Sequence, residues 1–244
     1  MTARLDVVLV RPKEDGNVGA VARVARNFGA ERLVIVAPRA ELGPDARRRA
    51  MGGSAILKAA RVVESFDEAI AGADLVVGTT DLSTGRSVSY LRRSISPERL
   101  GEMLRVVVGR VALVFGPEDN GLGRDQLARC DLLVHIPARR EFPTMNLSHA
   151  AAVVLYAVNR AREAPDPEST PAPEELPLNG REKEIFLERL GQMLARSGYP
   201  AHKRKGLLLL FRRVLGRSTP TEPEYRMLLG FLKSIDRQQR RSTP

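Results

Sequence analysis

An alternation constrains this chain more than any other feature. Through the first two thirds, short continuous apolar runs rich in valine take turns with stretches of helical periodicity. The runs occupy residues 5–10, 33–36, 75–77, 111–115 and 132–136. A strand that is apolar throughout, rather than at every second residue, is buried on both faces. Between the runs, residues 18–28 place Val21, Val24, Ala25 and Phe28 at helical spacing before a stop at Gly29. Residues 67–71 read as a helical turn, 124–129 as a short helix and 147–162 as a long one. Doubly buried strands separated by helices predict an α/β fold, a parallel sheet covered by helices.

The pattern then changes. Residues 165–180 carry five prolines, a density no regular element survives, and read as an extended linker. Beyond it the periodicity is helical only: Ile185, Leu187, Leu190, Met193 and Leu194 mark one helix and residues 207–215 a second. A third begins at Thr221, with Glu224 at capping-box spacing, and runs through Leu228, Leu229, Phe231, Leu232 and Ile235. The expected organisation is a sheet domain over 1–164, a linker over 165–180 and a small all-α extension over 181–244.

Charge separates the same segments. Residues 1–164 hold 24 basic and 19 acidic side chains, 165–188 hold 2 and 7, and 189–244 hold 13 and 3. The total of +10 therefore sits on the last helices, behind an acidic tether. Of the 39 basic residues 33 are arginine, whose planar fork suits phosphate. Lys203, Arg204, Lys205, Arg212 and Arg213 lack acidic partners at i,i+4, and they are read as contacts to nucleic acid rather than as a solvated helix face. Cys130 stands alone, which excludes an intramolecular disulfide and a cysteine-rich zinc site. The longest aliphatic stretch, 207–210, is far too short for a bilayer, and Asp6 interrupts any signal-peptide core. A soluble cytoplasmic protein without a membrane partner is expected.

The loops that follow the strands could carry chemistry. After the first run comes Arg11-Pro-Lys-Glu-Asp-Gly-Asn17-Val-Gly19, with Arg23 farther into the helix and Asn17 at its expected N-cap. Only two glycines occupy this turn, too few for a dinucleotide fingerprint, and no Gly-Lys-Ser/Thr phosphate loop occurs. Three other loops are glycine-rich or small and polar: Gly78-Thr79-Thr80-Asp81, Phe115-Gly116-Pro117-Glu118, and Ile136-Pro137 continuing to Thr144-Met145-Asn146. The carboxyl ends of parallel strands share one edge of a sheet, so three such loops together predict a bound small molecule.

Asn17-x-Gly19-x-x-x-Arg23, Phe-Gly-Pro-Glu118-x-x-Gly121-Leu and Met145-Asn146-Leu-Ser are similar to the three signature motifs of the TrmH-like SPOUT methyltransferases. The C-terminal Leu-Phe-Arg-Arg-Val-Leu and Glu-Tyr-Arg-Met-Leu-Leu-Gly-Phe-Leu resemble the helical extension of TrmJ-type tRNA 2′-O-methyltransferases. This resemblance implies a trefoil knot, S-adenosylmethionine as methyl donor, a homodimer with its active site at the subunit interface, and tRNA as substrate, with nucleotide 32 as target. Carried over, the donor would meet Thr79, Thr80, Asp81, Gly116, Ile136, Thr144, Met145 and Asn146. Arg23, Asn17, Glu118 and Asn146 would form the catalytic set, with Arg11 and Arg86 beside the RNA. Two alternatives share the fold: methylation of ribosomal RNA, and a catalytically silent RNA-binding protein. His135, expected in a strand, His149 in the long helix and His202 in a basic loop have no ligand spacing, and no metal is expected.

Overall fold

The valine-rich runs become strands of one parallel sheet. The computed structural model describes residues 3–39, 41–80, 94–139, 141, 144–163, 179–218 and 220–241. It divides into two units, Met1–Ala172 and Pro173–Pro244, with the break inside 165–180. In the first, β1 (Arg4–Val10) leads to α1 (Asp15–Asn27) and β2 (Arg32–Val36). There follow α2 (Pro44–Ala50), a 3₁₀ turn (Met51–Gly53), α3 (Ser54–Lys58) and β3 (Arg61–Val63). The unit continues through α4 (Phe66–Ile70), β4 (Leu75–Thr79), α5 (Pro97–Leu104), β5 (Arg110–Phe115), α6 (Arg124–Arg129), β6 (Leu132–Val134) and α7 (Leu147–Glu163). Strand order is β3-β2-β1-β5-β4-β6, parallel at every pairing.

Five strands were expected and six are found. The extra one, β3, is a three-residue edge strand whose Val62 is exposed, so it leaves almost no periodic trace. Helices α2 and α5 also went unread. The buried side of α2 is only Ala46 and Ala50, and that of α5 only Pro97, Leu100, Gly101 and Leu104.

Each central strand feeds two cores, as continuous apolar runs require. Val7, Leu9, Leu113 and Phe115 pack on one face with Val21, Leu104, Val154 and Val158 of the helices. Val8, Val10, Ala112 and Val114 pack on the other with Ile70, Leu122 and Cys130. Asp6 is the buried exception. It lies across from Arg32 in the β1–β2 register, accepts from that guanidinium at 2.7 Å, and accepts from Arg110 at 3.0 Å. Two forks compensate the desolvated carboxylate.

In the second unit, α8 (Gly180–Arg196), α9 (Ala201–Ser218) and α10 (Glu222–Arg241) enclose Phe186, Leu187, Leu190, Leu194, Leu215, Tyr225 and Leu232. Asn179 and Glu182 form a reciprocal capping box on α8. The Thr221 N–H bonds Glu224 at 2.7 Å, as that spacing predicts. His202 lies within α9 rather than in a loop. Among the described residues no helix is long and apolar enough to cross a membrane.

Candidate active site

Because β1, β5, β4 and β6 are adjacent in that order, the loops at their carboxyl ends meet at one rim. Those after β4, β5 and β6, with the residues that open α7, line a cavity of about 320 Å³. Of the residues expected to meet a ligand, Thr79, Thr80, Gly116, Ile136, Thr144 and Met145 line it, as does Glu118, whereas Asn146 does not. Asp81 and Arg86 lie outside the described residues. Gly116 permits the closure of its loop: a Cβ there would fall on the backbone of Gly121 and Leu122, and Gly121 itself holds a positive φ of 62°.

A chain of hydrogen bonds joins three loops beside the cavity. Glu118 accepts from Asn17 Nδ2 at 2.9 Å through Oε1, and from the Lys13 backbone N–H at 3.0 Å through Oε2. Asn17 Oδ1 accepts from Asn146 Nδ2 at 3.1 Å. Asn146 Oδ1 in turn accepts from the backbone N–H and hydroxyl of Ser148 at 2.9 and 2.7 Å, capping α7. Each amide thus has one orientation, set at one end by a carboxylate that only accepts and at the other by a backbone donor.

Asn17 is therefore not the N-cap of α1. Glu14 holds that place without a side-chain cap bond, and Asn17 sits one turn inside the helix, 4 % exposed. Only from there can both ends of its amide reach other loops. Gly19 also acquires a structural reason. A Cβ there would strike the carbonyl of Ala46, so this glycine serves the close approach of α1 and α2, not a phosphate turn.

Burial raises the pKa of Glu118, but hydrogen bonds from Asn17 and from backbone N–H groups outweigh it, leaving the carboxyl below its ordinary value. Asp119 is also lowered, chiefly by its bond from Lys13 at 2.5 Å. The cavity thus carries two ionised carboxylates at neutral pH.

His135 is the residue that sequence reasoning missed. It follows β6 rather than lying in a strand, lines the cavity, and places Nδ1 3.3 Å from the Thr80 carbonyl. Its position just before Ile136 was the available signal.

The cations are distributed differently. Arg23 is exposed on α1 and does not line the cavity. Six residues beyond Asn17, it stands about 9 Å along the axis and about 240° around it. Arg11 is exposed after β1 at a φ of 48°. In the second unit Lys203 and Lys205 are exposed, and Arg204 Nε donates to the Tyr199 carbonyl at 2.9 Å. Arg212 instead forms a two-pronged pair with Glu184 at 2.6 and 2.9 Å, and Arg213 is buried. Acidic compensation, absent along α9 itself, comes from α8. Among the described residues no three His, Cys, Asp or Glu side chains converge as a metal site.

The SpoU rRNA Methylase family model matches residues 4–156. The chain belongs to the SpoU rRNA methylase family. The tRNA (cytidine-2′-O-)-methyltransferase TrmJ of Methanocaldococcus jannaschii is 34% identical over 239 residues, covering 96% of this chain and 100% of that relative. The tRNA (cytidine/uridine/adenosine-2′-O-)-methyltransferase TrmJ of Pseudomonas aeruginosa is 34% identical over 249 residues, 98% of this chain and 96% of its own. The crystal structure of TrmJ from Z. mobilis ZM4 superposes with a TM-score of 0.74 at 30% identity, covering 96% of this chain and 100% of that one. The α/β methylase fold read from the strand pattern and motifs is thereby established, and these relatives span the helical extension as well.

Proposed function

We propose that the protein transfers a methyl group from S-adenosylmethionine to a ribose 2′-oxygen of tRNA. The observation that carries this reading is the Asn146–Asn17–Glu118 network beside a cavity built by the strand-end loops. The relatives share 2′-O-methylation of tRNA in their names and differ in the base, so the ribose oxygen is the common target. Nucleotide 32 follows from the resemblance of the motifs and extension.

The cavity suits the donor. Its volume falls within the range of small-molecule sites. Phe115, Leu122, Leu127, Val134 and Leu147 offer an apolar wall to a purine, and Glu118 and Asp119 offer negative charge to a sulfonium. When bound, the donor supplies an electrophilic methyl already activated by positive sulfur. What this chain must add is orientation and help with the hydroxyl proton.

Asn17 and Asn146 hold the loops at α1 and α7 in one register. Arg23 does the remaining work. Its guanidinium is a costly base but a good fork for the phosphate beside the reacting ribose and for charge developing on the 2′-oxygen. The hydroxyl proton leaves to that phosphate or to water. Arg23 does not line the cavity of its own chain, and the resemblance of the motifs implies a homodimer in which the partner subunit's Arg23 would complete it. Lys203, Arg204 and Lys205 would hold the RNA from the second unit, and Arg11 from the first.

The test is incubation of purified protein with S-adenosylmethionine and unmodified tRNA, followed by nucleoside mass spectrometry. A new 2′-O-methyl nucleoside mapping to position 32 is the expected result. The family's name favours one second reading, ribosomal RNA, and methylation of ribosomal RNA alone in a parallel reaction would establish it. Failure to bind S-adenosylhomocysteine by calorimetry would leave only a silent RNA-binding protein.

A further inference from the structure

Helix α10 has an outer face that its own unit does not use. Tyr225 and Leu232 are buried in the three-helix core. On another side, Met227 and Phe231, four residues apart, are 78% and 62% exposed. A third side carries Arg226, Lys233 and Arg237, all exposed, at helical spacings of seven and four. Arg226 is paired with Glu222 one turn back. Asp236, three residues beyond Lys233, is the one acidic residue that follows it in the helix.

Between the apolar pair and the cation row lies Gly230. Its neighbours at i−4, i−3, i+1, i+3, i+4 and i+7 are Arg226, Met227, Phe231, Lys233, Ser234 and Arg237. A Cβ at Gly230 would meet nothing within 4 Å. Packing therefore does not require this glycine, unlike Gly19, and its φ is not in the left-handed region. A glycine inside a helix is nevertheless less favourable than alanine. It leaves a notch of bare backbone edged by an aromatic ring, a thioether and cations.

We propose that this face of α10 binds an unpaired nucleotide of the RNA substrate, the base stacked on Phe231 and Met227 and its phosphate drawn over Gly230 by Lys233 and Arg237. The inference rests on the RNA-methylating reading and says where the extension grips its substrate. An exposed aromatic beside a row of fixed cations is how single-stranded nucleic acid is held without base specificity. The charge of the row argues against a second copy of the same face as occupant, since like charges would meet.

The full-length protein with Gly230→Ala, Phe231→Ala or Lys233→Gln tests this by filter binding to unmodified tRNA across a salt series, with melting and mass in solution recorded alongside. Gly230→Ala is expected to raise the melting temperature yet weaken tRNA binding several-fold, an opposition that a purely structural glycine cannot produce. Phe231→Ala should weaken binding about tenfold. Lys233→Gln should lower the slope of log affinity against log salt by about one. Wild-type affinity in both Gly230→Ala and Phe231→Ala would overturn the proposal. So would a change of oligomeric mass in Phe231→Ala with tRNA affinity intact, which would make the face a protein contact. If the unaltered protein binds no tRNA, it is the proposed function that fails.

Discussion

The two units use polar side chains in opposite ways. In the sheet unit, Asn17 reaches partners 101 and 129 positions away and is buried while doing so. In the helical unit, the pair from Arg212 to Glu184 spans 28 positions, and exposed Lys203, Lys205, Lys233 and Arg237 face solvent. A parallel sheet collects the ends of distant strands at one rim, so its polar groups can build a dry, directional site. Three packed helices offer outer faces instead, which suit a ligand that is itself a charged surface. Precision on one side and field on the other is the division of labour expected for chemistry on a large polyanion.

The contrast predicts where damage shows. Arg23→Lys keeps the charge and loses the fork, so methylation should fall by about a hundredfold or more with the melting temperature unchanged. Single-turnover rates over pH check this. Retained activity with a shifted pH profile would make Arg23 a general base. Asn17→Ala strips one donor from Glu118 and orphans Asn146 Nδ2, and it should cost about 2–3 kcal/mol in urea unfolding while weakening S-adenosylhomocysteine binding. No change in tRNA affinity is expected.

Glu118→Gln gives a smaller effect with a defined pH window. The carboxyl is lowered in the folded state, so its stabilisation is fully present above the ordinary value of 4.5 and is lost as pH falls through the lowered one. The stability difference between wild type and Glu118→Gln should therefore stand at neutral pH and shrink in that acid range, as acid-dependent denaturation can measure. A difference that grows on acidification would mean the carboxyl is held neutral. Smallest is Glu184→Gln, which weakens a half-exposed ion pair and should cost about 1 kcal/mol or less, leaving donor binding untouched.

Much of this was legible in the residues. Runs apolar at every position announced strands buried twice, and the cores on both faces of the sheet are their consequence. Glycine and threonine at strand ends marked the loops of the cavity. Elements without a long apolar stripe, such as β3 and α2, left no such mark. His135 was also opaque, because periodicity reports burial and cannot tell a strand's last residue from the first one past it.

Composition and spacing specified the sheet, its rim and the three trailing helices, since those follow from which residues leave water and at what period. Which partners meet was decided only in three dimensions. Asn17 became the middle of a network rather than a cap because α1 begins a turn earlier, and Arg212 became a tie to α8 because its helix is rolled toward Glu184. Hydrophobic burial is nondirectional and can be read along a line, whereas a hydrogen bond depends on two atoms whose separation no one-dimensional pattern records.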